Sequence, residues 1–163
     1  MREILFRGKR ADSGEWVYGD LLHPDIYGNG YSIEDFTKEK NNCFDIIPES
    51  ISEFTGLTDK NGKKIFEGDI LHFKTYQGDD FACPVGTDVY YRVLFGRCNP
   101  DMDTLTEYVG FWALGKNYDE DDLYECGNSI SYLVDSHGAC VIGNIHDNPE
   151  LLGGEDNENT KVY

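Results

Sequence analysis

The chain has no C-x-x-C pair, no long apolar run and few basic residues: 14 Lys and Arg stand against 31 Asp and Glu. Each shortage excludes something. Five cysteines, Cys43, Cys83, Cys98, Cys126 and Cys140, form an odd set that suits reduced thiols better than a disulfide framework. No run is long enough to span a membrane. The opening "MREILFRGKR" interleaves charges with its apolar residues, so no signal-peptide segment is expected and the protein is read as soluble and cytoplasmic. A formal charge of −17 opposes direct attraction to nucleic acid or anionic lipid. Its plain reading is solubility; the sharper one is a DNA-mimicking decoy for a basic partner. Leu- and Ala-rich runs are few, and 18 glycines argue further against a helical bundle.

What the chain does hold is aromatic: 11 Tyr, 9 Phe and 2 Trp. With 163 residues it can bury roughly two-thirds of its unfolded surface and stand without staples. The expected fold is mainly β, with antiparallel sheets forming one or two small barrel-like units. "EILFRGKR" and "WVYGDLL" read as a hairpin turning at Gly14, and "DILHFKTY", "VYYRVLFG" and "EYVGFWALGK" as further strands. "ISYLVD" and "ACVIGNIH" also read as strands. Pro48 lacks a donor and implies an edge position or a break. In "DNPELL", Asn148 as N-cap, Pro149 at the first helical position and Glu150 beside it predict a short C-terminal helix. Residues 1–152 are read as a single β domain whose weakest seam lies near 77–88, and 153–163 as an acidic, flexible tail.

"GLTDKNGKKIFEGDIL", Gly56 to Leu71, is the most structured motif. Counted as a calcium loop from Asp59, it places Lys63 at the fifth position and Ile70 at the twelfth, where an acid is required. As a phosphate loop its glycine spacing is one residue too long, and no Ser or Thr follows Lys63 and Lys64. Asn61-Gly62 instead predicts a two-residue type I′ hairpin in which Asp59 faces Lys64, Thr58 faces Ile65 and Leu57 faces Phe66. The charged and the apolar pair would each add about 0.2–1 kcal/mol. Gly68 would permit a bulge before Ile70.

The stretch "FTGLTDKNGKKIFEGDIL" closely resembles the Y-T-G-L-x-D-K-N-G-x-x-I-Y/F-E-G-D-I/V signature of the YopX family. "MREILFRGKR" with "WVYGDLL" is similar to that family's opening, and "VIGNIHDNPELL" to its ending, so the resemblance spans about 150 residues. Thr55, Gly56, Leu57, Asp59, Lys60, Asn61, Gly62, Glu67, Gly68 and Asp69 occupy the signature. Ile142, Gly143, Asn144, Asn148, Pro149, Glu150 and Leu151 occupy the ending. The resemblance implies a small protein of bacteriophages and prophages with barrel-like β sheets, able to self-associate, residing in a bacterial host. It brings no catalytic residue with it.

Cys126, His137, Cys140 and His146 are zinc-ligand types, but C-x10-H-x2-C-x5-H matches no standard finger. Ser136 to Cys140, "SHGAC", resembles pieces of a caspase-like site with the wrong separation; another Cys-His dyad is left open, since any His can approach any Cys in space. Asp119, Glu120, Asp121 and Asp122 read as a solvated patch. Glu67 and Asp69 are the better carboxylate pair, although an Asp after Gly commonly satisfies turn amides. Lys60, Lys63 and Lys64 read as tip lysines that blunt edge pairing. No metal, cofactor or catalytic residue is assigned. The expected role is an accessory protein acting through an unknown protein partner or a second copy, without direct nucleic-acid or membrane binding. A DNA-mimic inhibitor and an enzyme using Asp69 are the alternatives.

Overall fold

The computed structural model describes residues 3–24, 30–35, 42–78, 84–99, 108–123 and 127–153. The chain divides into two compact units, Met1–Gly56 and Leu57–Tyr163. The acidic tail lies outside the described residues, and the 77–88 stretch falls inside the second unit.

In the first unit, β1 (Phe6–Lys9), β2 (Trp16–Leu22), β3 (Ser32–Asp35), β4 (Asn42–Asp45) and the start of β5 (Ser52–Thr58) form an antiparallel sheet in the order β4-β3-β2-β1-β5. The β1–β2 turn uses Gly14 at φ +72°, and Arg10 and Glu15 close it main chain to main chain at 2.9 Å. Alternation along the strands sends Val17, Ile33 and Ile46 inward against Phe6, Leu21, Phe44 and Ile51. Gly19 has no room for a side chain, because a Cβ there would collide with the Glu34 carbonyl of β3. Past β4, Ile46 donates to Tyr31 at 2.9 Å and bridges Arg10, while Ile47 donates to Lys9 at 2.8 Å. The sheet thus curls back toward its own first strand, barrel-like without closing. Pro48 breaks the strand and begins a 3-10 turn, Pro48–Ser50, whose Ser50 hydroxyl accepts the Lys9 N–H at 2.7 Å.

In the second unit, β6 (Lys64–Phe66) pairs with β5, and β7 (Asp69–Lys74), β8 (Asp88–Cys98), β9 (Tyr108–Gly115) and β10 (Cys140–Asn144) form an antiparallel sheet ordered β10-β7-β8-β9. One face of that sheet carries Leu71, Phe73, Tyr91, Val93, Ala113 and Val141, packed with Ile65 against Ile130 and Leu133 of helix α1 (Ile130–His137).

That helix corrects the strand expected at "ISYLVD". Ser129 caps its start by accepting the Tyr132 N–H, and Gly138 ends it at φ +63°. Ile130 and Leu133 sit three apart on the buried face, a helical rather than an alternating period. The short helix expected at "DNPELL" is a different and smaller element. Pro149–Leu151 make only a 3-10 turn, and Asn148 forms no side-chain cap.

Candidate functional site

The quoted motif is a hairpin, but not of the predicted type. Asp59 donates its N–H to the Lys63 carbonyl at 2.8 Å and Gly62 donates to Asp59 at 2.9 Å. Gly62 has φ +81°, whereas no described non-glycine residue has positive φ. Asn61 therefore occupies an ordinary right-handed position, and the turn is a type I turn closed by a Gly bulge. Asp59 consequently faces Lys63 and not Lys64. Asp59 facing Lys63 moves the ladder by one residue, so Leu57 is no longer set opposite Phe66.

What holds the turn is the Asp59 side chain. Its Oδ1 accepts the N–H groups of Asn61 at 2.8 Å and Lys63 at 2.9 Å, and its Oδ2 accepts that of Val141 in β10 at 3.0 Å. Burial alone would raise this carboxyl's pKa. The N–H groups of Val141, Lys63 and Asn61, aided by the Lys63 charge, outweigh burial and hold it below the usual range. Lys60, expected only to blunt an edge, lays its stem beside Gly138 at the helix terminus, where the dipole favours a cation.

A second knot lies at the other end of β7 and β10. Gly68 at φ +76° reverses the chain after β6, and Asp69, 1% exposed, accepts the Phe66 N–H through Oδ2 at 2.8 Å. Opposite Asp69 stands Asn144, whose Oδ1 accepts His146 at 2.9 Å and Asp147 at 3.0 Å. The register slips between Val141 and Gly143, and a side chain at Gly143 would strike that of Asn148. Glu67 extends away from Asp69, its Oε1 accepting the Phe95 N–H at 3.4 Å. The signature residues of the second unit are thus organised as turns and clasps. Thr55 is buried in the first unit, beside Gly56 at φ +88°. Pro149 and Glu150 are exposed on the last 3-10 turn.

Cys126 lies outside the described residues, and among those described no three potential metal ligands cluster. His137 is enclosed by the rings of Phe73, Tyr76 and Tyr132, with centroids 5.0, 5.4 and 5.0 Å away. His146 is tied by its main chain to Asn144. In the acidic run, Asp122 Oδ2 accepts the Asp119 N–H at 2.8 Å and Glu120 lies 3.7 Å from Arg92.

Sequence reasoning missed the polar row on the sheet face turned away from α1. Cys140 stands opposite His72 and His72 opposite Tyr90, while the next row pairs Lys74 with Asp88. His72 Nε2 bonds Asp88 Oδ1 at 2.7 Å and Lys74 Nζ donates to Asp88 Oδ2 at 3.2 Å. The His72 hydrogen bond, then Lys74, lower the Asp88 pKa. Only strand pairing joins these positions; no local signal marks them.

The second exposed feature is apolar. Among the described residues, β8 continues past the start of β7 with β9 alone alongside, and this ribbon carries Phe95, 54% exposed, paired edge-on with Phe111 at 5.1 Å, and Val109, 65% exposed. On its other face Tyr108 lies 6.5 Å from Trp112, and Leu123, just after the acidic run, packs over Gly96.

Residues 5–153 match the family model described as YopX protein. No curated protein matches the chain. A solved structure, described as the crystal structure of protein EF1440 from Enterococcus faecalis, is similar at 20% identity with a TM-score of 0.47, covering 93% of this chain and 99% of that one.

Proposed function

We propose that this chain, which belongs to the YopX family, works by protein contact and not by catalysis, as a phage- or prophage-derived accessory protein in the cytoplasm of a bacterial host. The single observation that carries this reading is the β8–β9 ribbon, where Phe95, Val109 and Tyr108 stand in water although each has large apolar area to bury. Aromatic side chains so placed dominate interface energetics.

The occupant we assign is a basic protein surface with an apolar pocket. Glu67 lies at the Phe95 main chain, and the Asp119–Asp122 run leads directly into Leu123 on the ribbon's other face. The whole chain carries −17, so a second copy approaches against like net charge. Asp69 as a catalytic carboxylate gains no support from its setting, since it is buried and closes a turn. A phosphate-like row of carboxylates gains none from Asp122 and Glu120, which turn to their own neighbours.

The test combines light scattering with capture from infected or lysogenic host cells, using the full chain, Phe95→Ser and Val109→Ser. The expected result is a monomer that retains a basic protein through the ribbon and loses it, with unchanged circular dichroism, in both variants. A dimer abolished by either substitution would instead make a second copy the occupant. Retention that ignores both substitutions would overturn the reading.

A further inference from the structure

A main-chain nitrogen attacks the side-chain carbonyl of the asparagine before it once that nitrogen has lost its proton and no side chain on its own residue stands in the way. Asn61-Gly62 is such a pair. Both residues are exposed, and the space beside Gly62 is open, since a Cβ there would meet nothing within 4 Å. In the closed hairpin the Gly62 nitrogen is nevertheless engaged, its N–H donating to the Asp59 carbonyl at 2.9 Å. On either side of it, the N–H groups of Asn61 and Lys63 donate to Asp59 Oδ1 at 2.8 and 2.9 Å. Every main-chain N–H from Asn61 to Lys63 thus ends on Asp59. A proton given to an acceptor is harder to remove, and the carboxylate beside the turn opposes a second negative charge on the Gly62 nitrogen. The Val141 N–H of β10 holds the other oxygen of Asp59 at 3.0 Å, which anchors the carboxylate from outside the hairpin.

From this geometry we infer that Asn61 is a site of spontaneous deamidation whose rate Asp59 controls. When the turn opens, the Gly62 nitrogen loses its proton to solvent and attacks Cγ of Asn61. The new C–N bond closes a succinimide ring, the bond from Cγ to the amide nitrogen breaks, and that nitrogen takes a proton from solvent and leaves as ammonia. Water then opens the ring at either carbonyl, giving aspartate or isoaspartate, and neither oxidant nor reductant enters. Both products place a new carboxylate beside Asp59. Isoaspartate also runs the main chain through Cγ, which lengthens the turn and displaces the pair of N–H groups that Asp59 Oδ1 accepts.

The full-length chain is incubated at mildly alkaline pH, folded and in urea, and conversion at each asparagine is followed by peptide mass spectrometry, with aspartate and isoaspartate separated by chromatography. Asn29-Gly30, the other Asn-Gly pair of the chain, serves as the internal reference. Asn61 is expected to convert at least about tenfold more slowly in the folded natural chain than in urea, because chemistry on a closed turn waits for local opening. In folded Asp59→Ala, with unchanged circular dichroism and an unchanged Asn29 rate, Asn61 is expected to approach its rate in urea. Asp59→Asn keeps one acceptor oxygen without the charge and should fall between the two; it carries the comparison if Asp59→Ala does not fold. Equal Asn61 rates in the folded natural chain and in urea, or a folded Asp59 variant that converts Asn61 no faster than the natural chain, would overturn the assignment.

Discussion

The Asp59 carboxylate accepts the main-chain N–H of Val141 at 3.0 Å, joining positions 82 apart in sequence. With its other oxygen it closes the hairpin turn that carries it. One buried side chain therefore ties the family signature to the family ending, and it does so as an acceptor of main-chain protons.

Replacing Asp59 by Ala would orphan three N–H groups, two partly buried in the hairpin and one buried in β10. The expected loss is on the order of 3 kcal/mol, read as a lower urea midpoint at unchanged slope. Asp59→Asn keeps one acceptor oxygen but sets an amide group against a donor, and should cost less, about 1–2 kcal/mol.

The same contacts predict a pH dependence. Because the folded-state pKa of Asp59 lies below its unfolded value, its contribution is full above the unfolded carboxyl range, near about 4, and is lost as pH falls through the folded value. The stability gap between the natural chain and Asp59→Asn should hold steady from neutral pH down to that range and narrow below it. A gap that widens on acidification would contradict the assigned hydrogen bonds.

The turn type is separable by two substitutions. Gly62→Ala forces a side chain into the left-handed region and should cost about 1–2 kcal/mol, whereas Asn61→Ala should be within about 0.5 kcal/mol of neutral, having no positive φ to relieve. Equal costs at both positions, measured by thermal unfolding, would indicate the two-residue turn instead.

At Gly143, a methyl group meets the Asn148 side chain, so Gly143→Ala should destabilise by about 1–3 kcal/mol. Part of that loss should return in Gly143→Ala/Asn148→Ala, where the obstructing amide is gone. A double-mutant cycle that sums without coupling would remove this contact from the account.

For the exposed ribbon the expectation is opposite in kind. Phe95→Ser should shift stability by no more than about 1 kcal/mol, since the ring is half in water and meets Phe111 only edge-on. Its effect belongs in partner binding.

Much of the β architecture was legible from local signals: Gly14 marked the first hairpin, and Asp after Gly marked Asp69 as a turn acceptor. Two errors have physical causes. Asn61-Gly62 favours either of two turns, and the Asp59 side chain selects the type I form by accepting both Asn61 and Lys63. "ISYLVD" is rich in β-branched and aromatic residues, yet Ser129 and Gly138 supply caps at both ends and Ile130 and Leu133 bury the face between them.

The linear chain by itself determined the class of fold, the places where it reverses and the family to which its motifs belong, because turn chemistry and alternation act between near neighbours. Which strands lie side by side was decided only in three dimensions. Cys140 meets His72, and Asp59 meets Val141, through main-chain pairing, which is the same for almost every residue type and so leaves no mark on the sequence that it joins.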